Sequence, residues 1–159
     1  MADDIDRTEI TRAKRQVRTE VRQRRAELST DERAAARSGI AENLRTLVTG
    51  RGARSVSCYL PVPGEPDTTG FLEWAAQQGI RVLLPIARED GLLEWAVAGE
   101  SELHEGLFGL PEPSGETLSP LAVNDVDLTI IPACSIDETG DRIGWGRGYS
   151  DKSLGPMDR

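Results

Sequence analysis

Residues 127–131, DLTII, form a near-continuous apolar run, the composition of a parallel strand buried on both faces. Such a strand needs cover above and below, so the chain must supply layers. The preceding segments offer them. Residues 55–60 (SVSCYL), 81–86 (RVLLPI) and 91–97 (GLLEWAV) read as further strands. Residues 67–78, carrying Phe71, Leu72, Trp74 and Ala75, read as a short helix closed by Gly79. Strands alternating with helices predict a layered α/β fold with a mainly parallel sheet.

Two helices precede the first strand. Over residues 8–28, Ile10, Ala13, Val17, Val21 and Leu28 make one thin apolar stripe, with Arg and Lys on the other faces. Ser29-Thr30-Asp31-Glu32 is a capping box that opens a second helix over residues 30–48. Ala34, Ile40, Leu44, Leu47 and Val48 are its expected buried side, and Gly50 and Gly52 stop it. Residues 99–120 hold four Pro or Gly clusters and read as a long surface connection. A last helix is expected to begin near Tyr149.

The 159 residues fit one domain spanning the whole chain. No apolar run approaches the roughly 18–20 residues that cross a bilayer. The acidic, polar start, MADDIDRTEI, is unlike a signal peptide, so a cytoplasmic protein is expected. Cys58 and Cys134 lack metal-type spacing and are expected to pack in strands. The only histidine, His104, has no neighbouring triad partner in sequence and reads as a surface residue.

Charge is unevenly spread. Residues 1–54 hold 13 of the 19 Lys and Arg against nine acids, whereas residues 55–159 hold six bases and 18 acids. A basic arm for nucleic acid is one reading of this asymmetry. A basic helix folded over an acidic body, bringing cations to an anionic ligand, is another. The net charge of −8 disfavours nucleic acid through long-range repulsion.

Three segments carry candidate chemistry. In residues 140–151 (GDRIGWGRGYSD), glycines 144, 146 and 148 let the backbone approach a ligand closely, and amides at the expected helix start suit an anion. Arg142 and Arg147 add charge-assisted donors for phosphate, and Asp151 offers an oxygen ligand for magnesium. The spacing is neither the Walker nor the dinucleotide pattern. Lys14 and Arg18, one turn apart on the first helix, can grip one phosphate chain together. Residues 59–68 (YLPVPGEPDT) leave the carboxyl end of a strand, where α/β folds place ligand loops. There Glu65 can accept from ring nitrogens of a heterocycle, while Asp67 or Thr68 can cap the next helix. Trp74 and Trp95 are core candidates; Trp145 sits inside the glycine loop.

These segments, in this order, resemble the 5-formyltetrahydrofolate cyclo-ligase (methenyltetrahydrofolate synthetase) family. The likeness runs from Lys14-x-x-x-Arg18, Arg25 and Leu28-Ser29, through residues 59–68, 83–85 and 109–113, to Ile131-Pro132 and the loop 140–151. It implies a three-layer α/β sandwich and an ATP- and magnesium-dependent closure of 5-formyltetrahydrofolate to 5,10-methenyltetrahydrofolate by a monomer, without nucleic-acid or membrane partners. By resemblance, Lys14, Arg15, Arg18, Arg142, Gly144, Gly146, Arg147, Gly148, Tyr149 and Ser150 hold ATP. Leu60, Glu65 and Trp145 through Tyr149 meet the reduced folate, Arg142 and Arg147 serve as catalytic cations, and Asp151 holds magnesium. Ser150 stands where the family pattern Gly-Tyr-Tyr-Asp has its second aromatic, and the family's further C-terminal strands are expected to be missing. A relative that binds nucleotide or folate without turnover is the alternative.

Overall fold

The computed structural model describes residues 2–99, 103–106, 111–113, 116–146, 148, 149 and 152, without the side chains of 2–5, 104, 105 and 111. Helices α1 (Ala2–Ala26) and α2 (Thr30–Gly50) lead into strand β1 (Ser55–Ser57), helix α3 (Thr69–Gln77) and strand β2 (Arg81–Ala87). Strands β3 (Leu93–Val97), β4 (Leu103–Glu105) and β5 (Pro111–Pro113) follow. A 3-10 helix (Pro120–Asp125) then precedes β6 (Leu128–Thr129), β7 (Ser135–Ile136) and β8 (Arg142–Ile143).

The main sheet has the order β3-β2-β1-β6. β1 runs parallel to both β2 and β6, with Val56 opposite Val82 and Leu128. The β1–α3–β2 crossover is the connection that parallel neighbours require. Side-chain alternation along β2 divides the core between the two faces. Val82 and Leu84 join Val48, Val56, Phe71 and Ala75 beneath α2 and α3, while Leu83 packs with Trp95 and Val123 beneath the 3-10 helix. The layered α/β expectation therefore holds.

α2 begins as its sequence dictates. Ser29 Oγ accepts from the Glu32 amide at 3.1 Å, and Glu32 Oε2 accepts from the Ser29 amide at 2.7 Å. It ends in a Schellman turn: Gly52, at φ 61°, donates to Thr49 O, and Ala53 donates to Val48 O. Gly50 remains inside the helix.

The sheet is mainly parallel as expected, and other expectations need correction. β2 and β3 are its one antiparallel pair among the described residues, joined by a turn in which Gly91 takes φ 84° and Arg88 N donates to Leu92 O. The Asp90-Gly91 pair is the physical reason, since this dipeptide readily supplies the positive φ of a tight hairpin. β6 is paired on one side only among the described residues, and its two residues are half-buried rather than buried. α1 starts at Ala2 rather than residue 8, and its apolar stripe is not a core face: Ile10 and Leu28 are 46% and 39% exposed. On α2, Ala34 and Leu47 are exposed, leaving Val48 as the fully buried member. Residues 99–120 are not merely a surface connection, because β4 and β5 form a ribbon that buries Glu112. Cys58 and Cys134 are buried and free, but both lie in loops after strands.

Candidate active site

The loops following the carboxyl ends of parallel β1 and β6 diverge around a cavity of about 780 Å³. The β1 side supplies Tyr59, Leu60 and Glu65; the β6 side supplies Ile131 and Pro132. Trp95 and Glu112 form the far wall, and Trp145, Gly148 and Tyr149 close the near one. A volume of this order suits a drug-sized ligand held by apolar walls with a few directed polar groups.

Local hydrogen bonds fix each wall. Thr68 Oγ1 donates to Tyr59 O at 2.9 Å, and the Tyr59 hydroxyl donates to Pro66 O at 2.7 Å, so the loop 59–68 closes on itself. Glu65 folds back as well: its Oε2 accepts from the Val62 amide at 3.0 Å. Asp67 Oδ1 accepts from the amide and hydroxyl of Thr69, which makes it the residue that caps α3; Thr68 makes no capping bond. Burial pushes the Cys58 thiol up to about 12 and also raises the Tyr59 phenol above its ordinary value. Both therefore stay protonated at neutral pH, and Cys58 is no nucleophile.

α1 lies over the glycine loop. Arg18 Nε donates to Gly144 O at 2.8 Å, joining the helix to a loop 126 residues away. The guanidinium carbons of Arg22 and Arg25 sit 5.0 and 5.2 Å from the Trp145 ring centre, both within cation–π range. Arg25 further donates to Gly64 O, Ala133 O and Cys134 O. The acidic body is thus met by the basic helix, and its cations gather at one end of the cavity.

The glycine positions have distinct reasons. A Cβ on Gly144 would stand 2.9 Å from Arg142 Nη1, so a side chain there would displace the end of the Arg142 guanidinium. Gly146 adopts φ 94°, a conformation that L residues rarely take, directly beneath the Arg18 guanidinium. Gly148 O accepts from the Lys152 amide at 3.0 Å, the spacing of a helical turn opening where the sequence expects one. The loop does not leave the buried strand directly, however: the β7–β8 hairpin intervenes, with Ser135 opposite Ile143.

The sequence candidates divide accordingly. Arg18, Arg142, Gly144, Trp145, Gly146, Gly148, Tyr149, Leu60 and Glu65 are brought to the cavity or to the loop beside it. Arg142 donates from Nη1 to Pro132 O at 2.9 Å, and the Tyr149 hydroxyl donates to Arg88 O at 3.3 Å. Lys14 and Arg15 are exposed on α1, with Lys14 one turn before Arg18. Arg147, Ser150 and Asp151 lie outside the described residues, as does the side chain of His104. Among the described residues no group of three or more His, Cys, Asp or Glu is placed to hold a metal. Trp74 packs against the core as expected; Trp95 does too, yet it also lines the cavity. Sequence reasoning did not single out Arg22 or Glu112 as cavity residues. Arg22 was legible only as one more charge on a basic helix, and Glu112 lies in a stretch whose prolines and glycines suggest exposure.

A family model described as the 5-formyltetrahydrofolate cyclo-ligase family matches residues 10–158. The chain belongs to the 5-formyltetrahydrofolate cyclo-ligase family. The 5-formyltetrahydrofolate cyclo-ligase of Mycolicibacterium smegmatis is 35% identical over 150 residues, a stretch covering 90% of this chain and 75% of the relative. That of Haemophilus influenzae is 26% identical over 147 residues, covering 91% and 79%. The 5,10-methenyltetrahydrofolate synthetase structure from Aquifex aeolicus superimposes with a TM-score of 0.73 at 30% identity, covering 91% of this chain and 73% of that one. The Mycoplasma pneumoniae 5,10-methenyltetrahydrofolate synthetase, at 24% identity, has a TM-score of 0.70 with coverage of 92% and 79%, a likeness of fold. The α/β architecture of the cyclo-ligase family and the arrangement described above therefore agree. No helix among the described residues is long and apolar enough to cross a membrane.

Proposed function

We propose that residues 1–159 act as one catalytic domain that converts 5-formyltetrahydrofolate and ATP, with magnesium, to 5,10-methenyltetrahydrofolate, ADP and phosphate. The observation that carries this reading is the Arg18–Gly144 bond, which joins a basic helix to a glycine loop at the edge of a folate-sized cavity. Membership of the cyclo-ligase family supports the same reaction.

In this reading the γ-phosphoryl group passes to the formyl oxygen and ADP leaves. The resulting iminophosphate carbon is attacked by N10 of the folate, and the C–O bond breaks with release of phosphate. Such chemistry asks for positioning and charge stabilisation more than for a protein nucleophile. The donor set fits a triphosphate: Arg18 keeps its terminal nitrogens beyond the Nε spent on Gly144, Lys14 stands one turn away, and Gly146 leaves the backbone open to close approach. Arg15, Arg142, Arg147, Tyr149 and Ser150 complete the nucleotide side. Leu60, Glu65, Trp145, Gly146, Arg147, Gly148 and Tyr149 receive the folate, with Arg142 and Arg147 as the catalytic cations. Asp151 would hold magnesium, which neutralises phosphate charge when bound. A cytoplasmic monomer meets the need for ATP and a reduced folate, and Arg18, Arg22 and Arg25 of α1 turn to the loops around the cavity.

Incubation of the purified chain with ATP, magnesium and 5-formyltetrahydrofolate tests the proposal. The near-UV absorbance of the methenyl product is expected to grow with enzyme concentration and to require all three components. A folded protein that yields no product at high concentration would overturn it.

A further inference from the structure

Three separate stretches of chain wall the cavity, and one side chain touches all of them. Arg25 Nη1 donates to Gly64 O at 3.2 Å in the loop after β1. Its Nη2 donates to Ala133 O at 3.1 Å and Cys134 O at 3.3 Å in the loop after β6. Its guanidinium also lies over Trp145 in the glycine loop. Arg25 is half-buried, and it reaches these partners from α1, a helix otherwise held by little apolar packing.

We propose that Arg25 is the positioning residue of the site: it fixes the spacing of the Leu60–Glu65 wall, the Ile131–Pro132 wall and the Trp145 ring, and thereby the width offered to a flat heterocyclic ligand. The chemistry requires arginine. A planar fork presents donors in two directions at once and a flat face to the indole, whereas a lysine ammonium is a single point of charge. Loop carbonyls at the rim of an apolar cavity are costly to leave without donors, so removing the fork lets the loops separate. Arg24, the adjacent cation on the same helix, is exposed and makes none of these bonds.

Hydrogen exchange of the ligand-free protein tests the spacing directly, and steady-state kinetics test its consequence; only the kinetic part rests on the cyclo-ligase reading. In Arg25→Met, amides at 62, 64, 65 and 133–136 are expected to exchange on the order of tenfold faster, since charge-assisted bonds of this kind are worth that factor or more. Peptides from α2 and the β1–β2 sheet should exchange as before. The KM for 5-formyltetrahydrofolate should rise by a similar factor, with kcat changed less. Arg25→Lys, which keeps charge and stem, should restore neither, and Arg24→Met should leave both at wild-type values. Unchanged loop exchange in Arg25→Met, full rescue by lysine, or the same response in Arg24→Met would overturn the proposal. Should the methionine variant fail to fold, the lysine variant decides by the same two readouts. If the wild type shows no turnover, the exchange data still decide the role of Arg25 while the cyclo-ligase reading fails by itself.

Discussion

Helices α1 and α2 are adjacent in sequence and similar in length, at 25 and 21 residues, yet different forces hold them. α2 is capped at both ends and drives Val48, 1% exposed, into the cluster around Phe71. α1 has every residue from 6 to 16 exposed and keeps only Val17, Arg18, Val21 and Arg25 half-buried. Its attachment is polar: guanidinium groups on loop carbonyls and on the Trp145 face. The difference separates two tasks. α2 builds the fold, and α1 completes the site from the weakly held end of the stability scale, where ligand-binding elements are commonly found.

The same truncation on each helix should expose that difference. Val48→Ala is expected to cost about 2–3 kcal/mol through lost burial and an unfilled cavity. Val21→Ala, on a half-buried site free to relax, should cost less than about 1 kcal/mol. Denaturant melts of the two variants check this, and equal losses would mean that α1 belongs to the core after all. Next in size, Ser29→Ala removes the capping box and should cost roughly 1 kcal/mol. A capping loss confined to α2, with exchange of α1 unaltered, would sharpen the separation.

The smallest effect is acid-dependent. Asp137 Oδ1 accepts from the Thr139 hydroxyl and from the amides of Asp141 and Thr139, in the turn of the hairpin that delivers the glycine loop. Those bonds, the hydroxyl foremost, hold its carboxyl below the ordinary 3.8. A lowered native value means stability that is complete above about 3.8 and lost as pH falls through the native value. Protection factors of the amides across residues 135–143, which correct for the slower intrinsic exchange in acid, should therefore fall on acidification, and Asp137→Asn should flatten that response. A pH-independent hairpin would show that the turn carries no such linkage.

Legibility followed the range of the interaction. The capping box, the βαβ unit and the glycine loop are written in neighbouring residues and were readable from them. The antiparallel β3 was also written locally, in Asp90-Gly91, and a mainly parallel sheet leaves room for one such strand. The stripe on α1 gave a correct period without saying how far it would be covered; Ile10 stays 46% exposed. Arg25 was legible only through the family likeness, and Glu112 not at all. Arg25 bonds to loop carbonyls and Glu112 accepts from the amide of Ala87 at the end of β2, partners met only in three dimensions, and no side-chain spacing records a backbone group.

The bond from Arg18 to Gly144 O makes one site from the basic helix and the glycine loop. Measuring kcat/KM for ATP in Arg18→Met beside the wild type shows whether that site works as one. A loss on the order of tenfold or more is expected, the worth of a charge-assisted bond, in a protein whose melting temperature is nearly unchanged. An unaltered kcat/KM in the folded variant would contradict it.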